Sequence, residues 1–503
     1  MSTKKIAVLN TGSAILQQFV NVILQFGVRK IVLAYLGVEI LGINSTFASI
    51  VAAASLAESG ATNVIIFKLY TAVQNKDEDD INSLVNITRF FMMIIAILVL
   101  VATLILMPFI PKLLTKVKIT PRIYVYFLLQ SAATIASYLL SYKRVLLTAD
   151  RVVYIGTFID TITNIVFSLL IMVIVVKFKS YEGYLILCAV QVVMGNLIIH
   201  FVCKKKYGFL KYKKADVKRL KRMIPEFKDL FMGSLASYLY KSSDNLIISK
   251  FVNTISVGYL GNYTTITSAL KQFALASIST MGPILGNKAA KKDGLENFRN
   301  VFRFYDFMLY AITLFIVIPE YVLLKNFVTY VWGAEYVMSN SIVVFLIVDQ
   351  YLVIVQDCNG VLLSVVGKFK ELKIADGVAA ILNLLISIAL VFDYGILGVL
   401  FGTIISRLIQ WILKAYYCHI KYFGEDIGSF FFYWVKNFIK FILCILAIFV
   451  AMLISNNVSN IQSIINFVIV GFQCEILAGI VLVVYGIITK DLFVTLKLVG
   501  LKK

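Results

Sequence analysis

The chain has 503 residues, 60% of them apolar and only 15% charged, with a mean hydropathy of +0.89. That composition excludes a soluble globular fold and points to an all-α polytopic membrane protein. The formal net charge of +21 needs no nucleic acid to explain it, because Lys and Arg accumulate in cytoplasmic loops and are drawn to anionic headgroups.

Windows long enough to cross about 30 Å of hydrocarbon centre near residues 22, 52, 98, 131, 164, 190, 239, 269, 311, 353, 382, 405, 443 and 473. Fourteen spans put both termini on one side. With the N-terminus inside, basic residues in the inner segments outnumber those in the outer ones roughly fourfold, so both ends are expected in the cytoplasm. The first window follows only Lys4 and Lys5 and lacks a small-residue cleavage site, so it reads as a retained helix, not a removable signal peptide.

That first helix carries Thr11, Gln18, Asn21, Gln25 and Arg29, with Lys30 beside them. Steps of seven, three, four and four keep the first five on one face. Their neighbours, such as Ile15, Leu16, Phe19 and Val20, suit hydrocarbon, so the polar stripe must look into a bundle or a wet cavity. Later spans repeat the device. The fifth has Thr157, Asp160, Asn164 and Ser168, the seventh Ser234, Ser237, Lys241 and Asp244, and the eighth Thr264, Thr267 and Lys271. The tenth has Asp349, Gln356 and Asp357, and the twelfth Thr403, Arg407 and Gln410.

The run from Lys204 to Arg222, dense in Lys and Arg, separates six spans from the rest and reads as a topological anchor. A shift of 216 residues aligns Arg29 through Gly42 with Asn245 through Gly258. The organisation expected is a six-helix lobe over 1–203, a basic cytoplasmic linker over 204–225, a second six-helix lobe over 226–423, and two added helices with a cytoplasmic tail over 424–503. If the polar faces converge between lobes, Gln18, Asn21, Gln25, Arg29, Lys30, Lys241, Lys271 and Arg407 line a cavity that favours an anionic headgroup. Asp244, Asp349 and Asp357 are the candidates for ion or proton coupling, because a carboxylate beside a cation exchanges a proton or ion as its surroundings change.

Plainer readings stand beside these. Lys241 and Asp244 pair on one helix, Arg303 and Lys414 snorkel to the interface, and Glu58 and Asp160 serve topology or lobe packing. Trp332 with Tyr330 and Tyr336 forms an outer interfacial belt, and the six prolines end spans. The six cysteines lack metal or disulfide spacing. Gly360 stands six residues, not four, from Gly367-Lys368, and Phe369 follows, so this is no Walker A loop. There is no HExxH and no G-x-S-x-G. The expectation is therefore a transporter with no metal and no cofactor.

The run Arg29-Lys-Ile-Val-Leu-Ala-Tyr-Leu-Gly37-Val-Glu-Ile-Leu-Gly42-Ile-Asn-Ser, then Ser55-Leu-Ala-Glu58-Ser-Gly60-Ala and Leu69-Tyr70, resembles the opening of polysaccharide-unit flippases. These belong to the multidrug/oligosaccharidyl-lipid/polysaccharide exporter superfamily. Ser242-Ser-Asp244-Asn-Leu-Ile-Ile-Ser249 and Val257-Gly258-Tyr259 resemble the start of that family's second half. The resemblance implies two six-helix bundles arranged as a V, alternating access, and an oligosaccharide repeat unit carried on undecaprenyl pyrophosphate. It puts Arg29 and Asp244 at recurrent charged positions and the protein in the bacterial cytoplasmic membrane. The partners it implies are membrane lipids, a polysaccharide polymerase and glycosyltransferases. A peptidoglycan-precursor flippase, a drug or cation antiporter of the same superfamily, and a non-transporting assembly protein remain as alternatives.

Overall fold

The computed structural model describes residues 3–278, 295–456 and 463–498, and every regular element among them is helical. In chain order the first are α1 (Thr3–Leu36), α2 (Val38–Ala54), α3 (Leu56–Gln74), α4 (Glu78–Leu106) and α5 (Pro121–Ser141). Next come α6 (Arg144–Ala149), α7 (Val153–Phe178), α8 (Tyr181–Lys206), α9 (Val217–Phe251) and α10 (Thr254–Ile278). The remainder are α11 (Leu295–Val331), α12 (Asn340–Val355), α13 (Asp357–Val365), α14 (Phe369–Tyr394), α15 (Ile396–Tyr416), α16 (Ile427–Asn456), α17 (Ile464–Ile488) and α18 (Asp491–Leu498). Eleven described helices are long and apolar enough to cross a bilayer, and they coincide with eleven of the predicted windows. The window near 52 is broken at Ser55 between α2 and α3, and those near 239 and 269 fall on the more polar α9 and α10.

The breaks between helices have local causes. Gly37, at φ 84°, turns the chain between α1 and α2 in a conformation that favours glycine. Asp77, Ser180 and Asp216 accept backbone N–H bonds from Asp80, Gly183 and Arg219 and so cap α4, α8 and α9. Pro121 begins α5, where its missing N–H costs nothing. Two other prolines depart from expectation. Pro225 and Pro319 lie inside α9 and α11, because these helices, of 35 and 37 residues, continue past the roughly 20 residues that cross hydrocarbon. A proline at a window's edge is then still mid-helix.

The chain divides into two compact units, Met1–Gly258 and Tyr259–Lys503. In the first, buried Ile65, Leu69, Leu84, Ile87, Leu146 and Cys203 knit α3, α4, α6 and α8 into one core. The 216-residue shift reappears there as a reciprocal contact. A Cβ on Gly42 would stand 2.0 Å from the Thr254 carbonyl oxygen, and one on Gly258 would stand 2.3 Å from that of Val38. Since 38 aligns with 254 and 42 with 258, equivalent glycines let equivalent backbones touch, as small residues do at membrane helix crossings.

The basic stretch is not a loose tether. Asn82 and Asn86 of α4 each bond its backbone twice, to Phe209 and Lys211 and to Lys211 and Lys213. Lys213 pairs with Asp79 and Arg219 with Asp80. In the second unit α11 packs against α12, α16 and α17. Lys440, 1% exposed, forms an ion pair with Asp306, and the Tyr310 hydroxyl donates to the Lys440 carbonyl at 3.0 Å. Trp332 is buried edge-on against Phe327 and is not displayed in a belt. Arg303 pairs with Asp491 and Lys414 with Asp376. The snorkelling reading of both therefore gives way to pairing, since a carboxylate lies within reach of each.

Candidate functional site

Inside the first unit lies a cavity of about 790 Å³. Apolar surface in its lining is interspersed with hydroxyls and amides from α1, α5, α7 and α8, among them Asn21, Thr134, Ser137, Asn164 and Gln191. One charged pair faces it. Arg144 opens the short helix α6, whose Val145, Leu146, Leu147 and Ala149 are buried, so packing of α6 draws the guanidinium into the bundle. It donates to both oxygens of Asp160, at 2.7 and 2.8 Å, and through Nε to Asn196 Oδ1 at 2.7 Å. This is a fork-to-fork pair, the strong and directional form of the interaction. Both side chains remain about a third exposed, 35% and 34%, so the pair is reachable from the cavity.

A second chain of bonds crosses the same space. Asn164 donates to Asn21 Oδ1 at 2.6 Å and accepts from Ser168 and from Gln191. Asn10 of α1 bonds the Arg151 carbonyl and the Tyr154 N–H, fixing that end of the stripe against the α6–α7 turn. Nearby, Tyr207 donates to Asp150 at 2.6 Å, and burial, reinforced by that bond, pushes its hydroxyl well above its ordinary value. Burial lowers the ammonium of Lys143, which lies 3.4 Å from His200 Nε2.

The sequence-derived candidates distribute as follows. Asn21 lines the cavity, while Gln18 is half-buried and Gln25 and Lys30 are exposed. Arg29 donates to the Gly258 carbonyl at 3.2 Å. Asp244 is half-buried on α9. Lys241 lies on the same helix, and its side chain is outside the described residues, as are those of Ser234, Ser237 and Glu58. In the second unit Lys271 is half-buried. Arg407 forms a fork with Asp349, Nη2 to Oδ2 at 3.2 Å. Asp357 accepts from Tyr305 at 3.0 Å and lines a separate cavity of about 500 Å³ with Asp376 and Lys414. Gln410 donates to Asp376 at 2.9 Å.

Arg144, Gln191 and Asn196 were not among the sequence-derived candidates. Arg144 falls between two predicted spans, where a charge reads as topology. Gln191 and Asn196 did carry a signal, two amides within one apolar span, though five residues apart. The described residues include no cluster of His, Cys, Asp or Glu able to hold a metal ion.

A family model described as "Polysaccharide biosynthesis protein" matches residues 7–287. A curated relative, the probable low-salt glycan biosynthesis flippase Agl15 of Haloferax volcanii, is 23% identical over 226 residues. That stretch is 43% of this chain and 46% of the relative, so the match spans about half of the relative's length. Among solved structures, lipid II flippase MurJ in an inward closed conformation superposes with a TM-score of 0.69 at 14% identity, covering 98% of this chain and 100% of that one. The MATE multidrug transporter DinF-BH gives 0.59 at 13% identity, covering 85% and 98%. At these identities the likeness is one of fold.

Proposed function

The chain belongs to the polysaccharide biosynthesis protein family, and from that premise we propose that it is a flippase for lipid-linked oligosaccharide repeat units carried on undecaprenyl pyrophosphate. It works by alternating access in the bacterial cytoplasmic membrane, with both termini in the cytoplasm. It acts with the glycosyltransferases that build the unit and the polymerase that consumes it. The observation that carries this reading is the polar cavity within a membrane bundle. Its amides and hydroxyls are the partners that sugar hydroxyls require once removed from water, since an unpaired buried hydroxyl is costly. A volume of about 790 Å³ is within the usual range for a bound organic ligand.

The charged diphosphate must also be compensated, and charge-assisted pairing to guanidinium is the strongest means available. Arg29 and Arg407 are proposed for that role, with Lys30, Lys241 and Lys271 adding positive charge, and Asp244, Asp349 and Asp357 are proposed for coupling. The lobe, linker and added-helix organisation is retained as the working arrangement.

The test is a gene deletion followed by identification of the lipid-linked glycan that accumulates on the inner leaflet. The flippase reading expects complete repeat units. Accumulation of the peptidoglycan precursor would reassign the substrate, and no accumulation would overturn the reading. In reconstituted vesicles, Arg29→Ala and Arg407→Ala are expected to abolish translocation while insertion persists, and normal rates would remove both as headgroup ligands.

A further inference from the structure

We propose that Glu320 is a proton-binding site of the second unit, a carboxyl that is neutral in this conformation and ionises when α11 opens it to water. It goes beyond the flippase reading and does not depend on the substrate's identity. Glu320 is 5% exposed, and neither of its oxygens has a hydrogen-bond partner among the described residues. Its own helix surrounds it with buried Val317, Ile318, Leu323 and Leu324. An anion there would lie in low dielectric with no compensating donor, whereas the neutral acid is tolerated.

The packing of α17 fixes what lies opposite. Phe327 meets Phe467 with ring centroids 6.2 Å apart, Leu323 Cδ1 is 3.6 Å from where a Cβ on Gly471 would stand, and Tyr310 meets Tyr485 at 4.9 Å. This antiparallel register puts Glu320 level with Cys474, with Glu475 next to it. Glu475, half-buried, follows Cys474 on α17, so a second acid lies near this depth.

Most of the other ionisable groups on helices packed against α11 are engaged elsewhere. Asp349 is with Arg407 on the α12 side, Asp357 with Tyr305 and Lys440 with Asp306. Asp491 is with Arg303, while Tyr351 meets Phe441 edge-on and its buried hydroxyl has no hydrogen-bond partner among the described residues. Lys436 lies one turn from Lys440, toward the start of α16. On α11 itself Lys325 bonds Asn340.

Release requires a route to water, and the helix is weakest beside the acid. Pro319 has no N–H, so the Phe315 carbonyl one turn back loses its helical partner, and bends concentrate at such points. The exchange is simple. One carboxylic O–H bond breaks, its proton passes to water, and the electron pair remains on the carboxylate. Intramembrane ionisable groups mark functional sites by default, and proton relays are among the roles carboxyls take there.

The test uses the full-length purified protein. Infrared difference spectra across an acid–base titration are expected to contain a protonated-carboxyl band that Glu320→Gln loses and Glu475→Gln keeps, while the melting temperature of Glu320→Gln is unchanged. Peptide-mapped alkylation of buried Cys474 should rise at alkaline pH several-fold more in the native protein than in Glu320→Gln. Should Glu320→Gln fail to fold, Glu320→Asp keeps an acid and is expected to retain the band. A band that persists in Glu320→Gln, its absence from Glu320→Asp, or equal Cys474 reactivity in native and Glu320→Gln protein would overturn the assignment.

Discussion

Arg144→Gln removes the one cation among the described residues that line the first unit's cavity. The guanidinium makes three bonds, two to Asp160 and one to Asn196. Breaking a fully buried pair costs about 3–5 kcal/mol, while exposed pairs contribute about 0.2–1 kcal/mol. With both side chains about a third exposed, water partly replaces the lost partner, so the expected cost lies between these, about 2 kcal/mol. Tryptophan fluorescence will not report it, because Trp332, Trp411 and Trp434 all belong to the second unit. The suitable reporter is Cys203, fully buried, whose thiol lies 4.0 Å from the carbonyl of Lys143, next to Arg144. Its alkylation is followed through a denaturant titration. Asp160→Asn is measured in parallel, then the double variant. A shared fork predicts a coupling of about 1–2 kcal/mol between the two positions, against an additivity error of about 0.3–0.5 kcal/mol. Additive single effects would mean that the two charges act independently and that the geometry described has no energetic weight.

Three further outcomes are expected. Lys440→Met leaves Asp306, 19% exposed, without its cation and should destabilise the second unit by about 2–4 kcal/mol, whereas Lys440→Met combined with Asp306→Leu should recover most of the loss, read by tryptophan fluorescence in denaturant. Asn82→Ala with Asn86→Ala removes four of the bonds that hold 209–213 to α4, leaving the Lys213–Asp79 pair, and should speed tryptic cleavage at Lys211, Lys213 and Lys214 at least several-fold, with the helical signal intact. Burial opposes ionisation of Glu425, but the hydrogen bond from His419 at 2.8 Å, together with the charges of His419 and Arg299, outweighs it and holds the carboxyl below its ordinary 4.5. A depressed acid stabilises above its unfolded value and loses that contribution as pH falls through the folded one, so melting temperature should drop below about pH 4.5, and His419→Ala should flatten that drop.

The all-α, multi-pass character was legible because apolar runs of span length have few other uses, and eleven windows coincide with spanning helices. Helical spacing also found Asn21 and Asn164, which meet in the cavity. Spacing identifies a face but not what faces it. Gln25 belongs to the stripe and remains exposed, as does Lys30 beside it, while Arg144 enters the cavity from a six-residue helix too short to show a period. The 216-residue shift carried more information than its few identities suggest, since its two glycines turned out to need each other's space.

The pairing of the charges bears on how a phosphorylated lipid would be held. Sequence alone gathers Arg29, Lys30, Lys241, Lys271 and Arg407 into one basic lining; of these Arg407 pairs with Asp349, and outside that set Arg144 pairs with Asp160 and Lys414 with Asp376. Left as they are, these pairs offer an anion little net attraction. A carboxylate and a phosphate present the same two-oxygen edge to a guanidinium, so an incoming headgroup can take the carboxylate's place instead of adding a new pair. Exchange of this kind spares the protein a bare buried cation when the site is empty, a state that would cost more than the pair does. It also links arrival of the headgroup to release of an acid. The direction of that link is measurable: Asp160→Asn and Asp349→Asn should tighten the binding of inorganic pyrophosphate to the full-length protein, and weaker binding in both would exclude exchange.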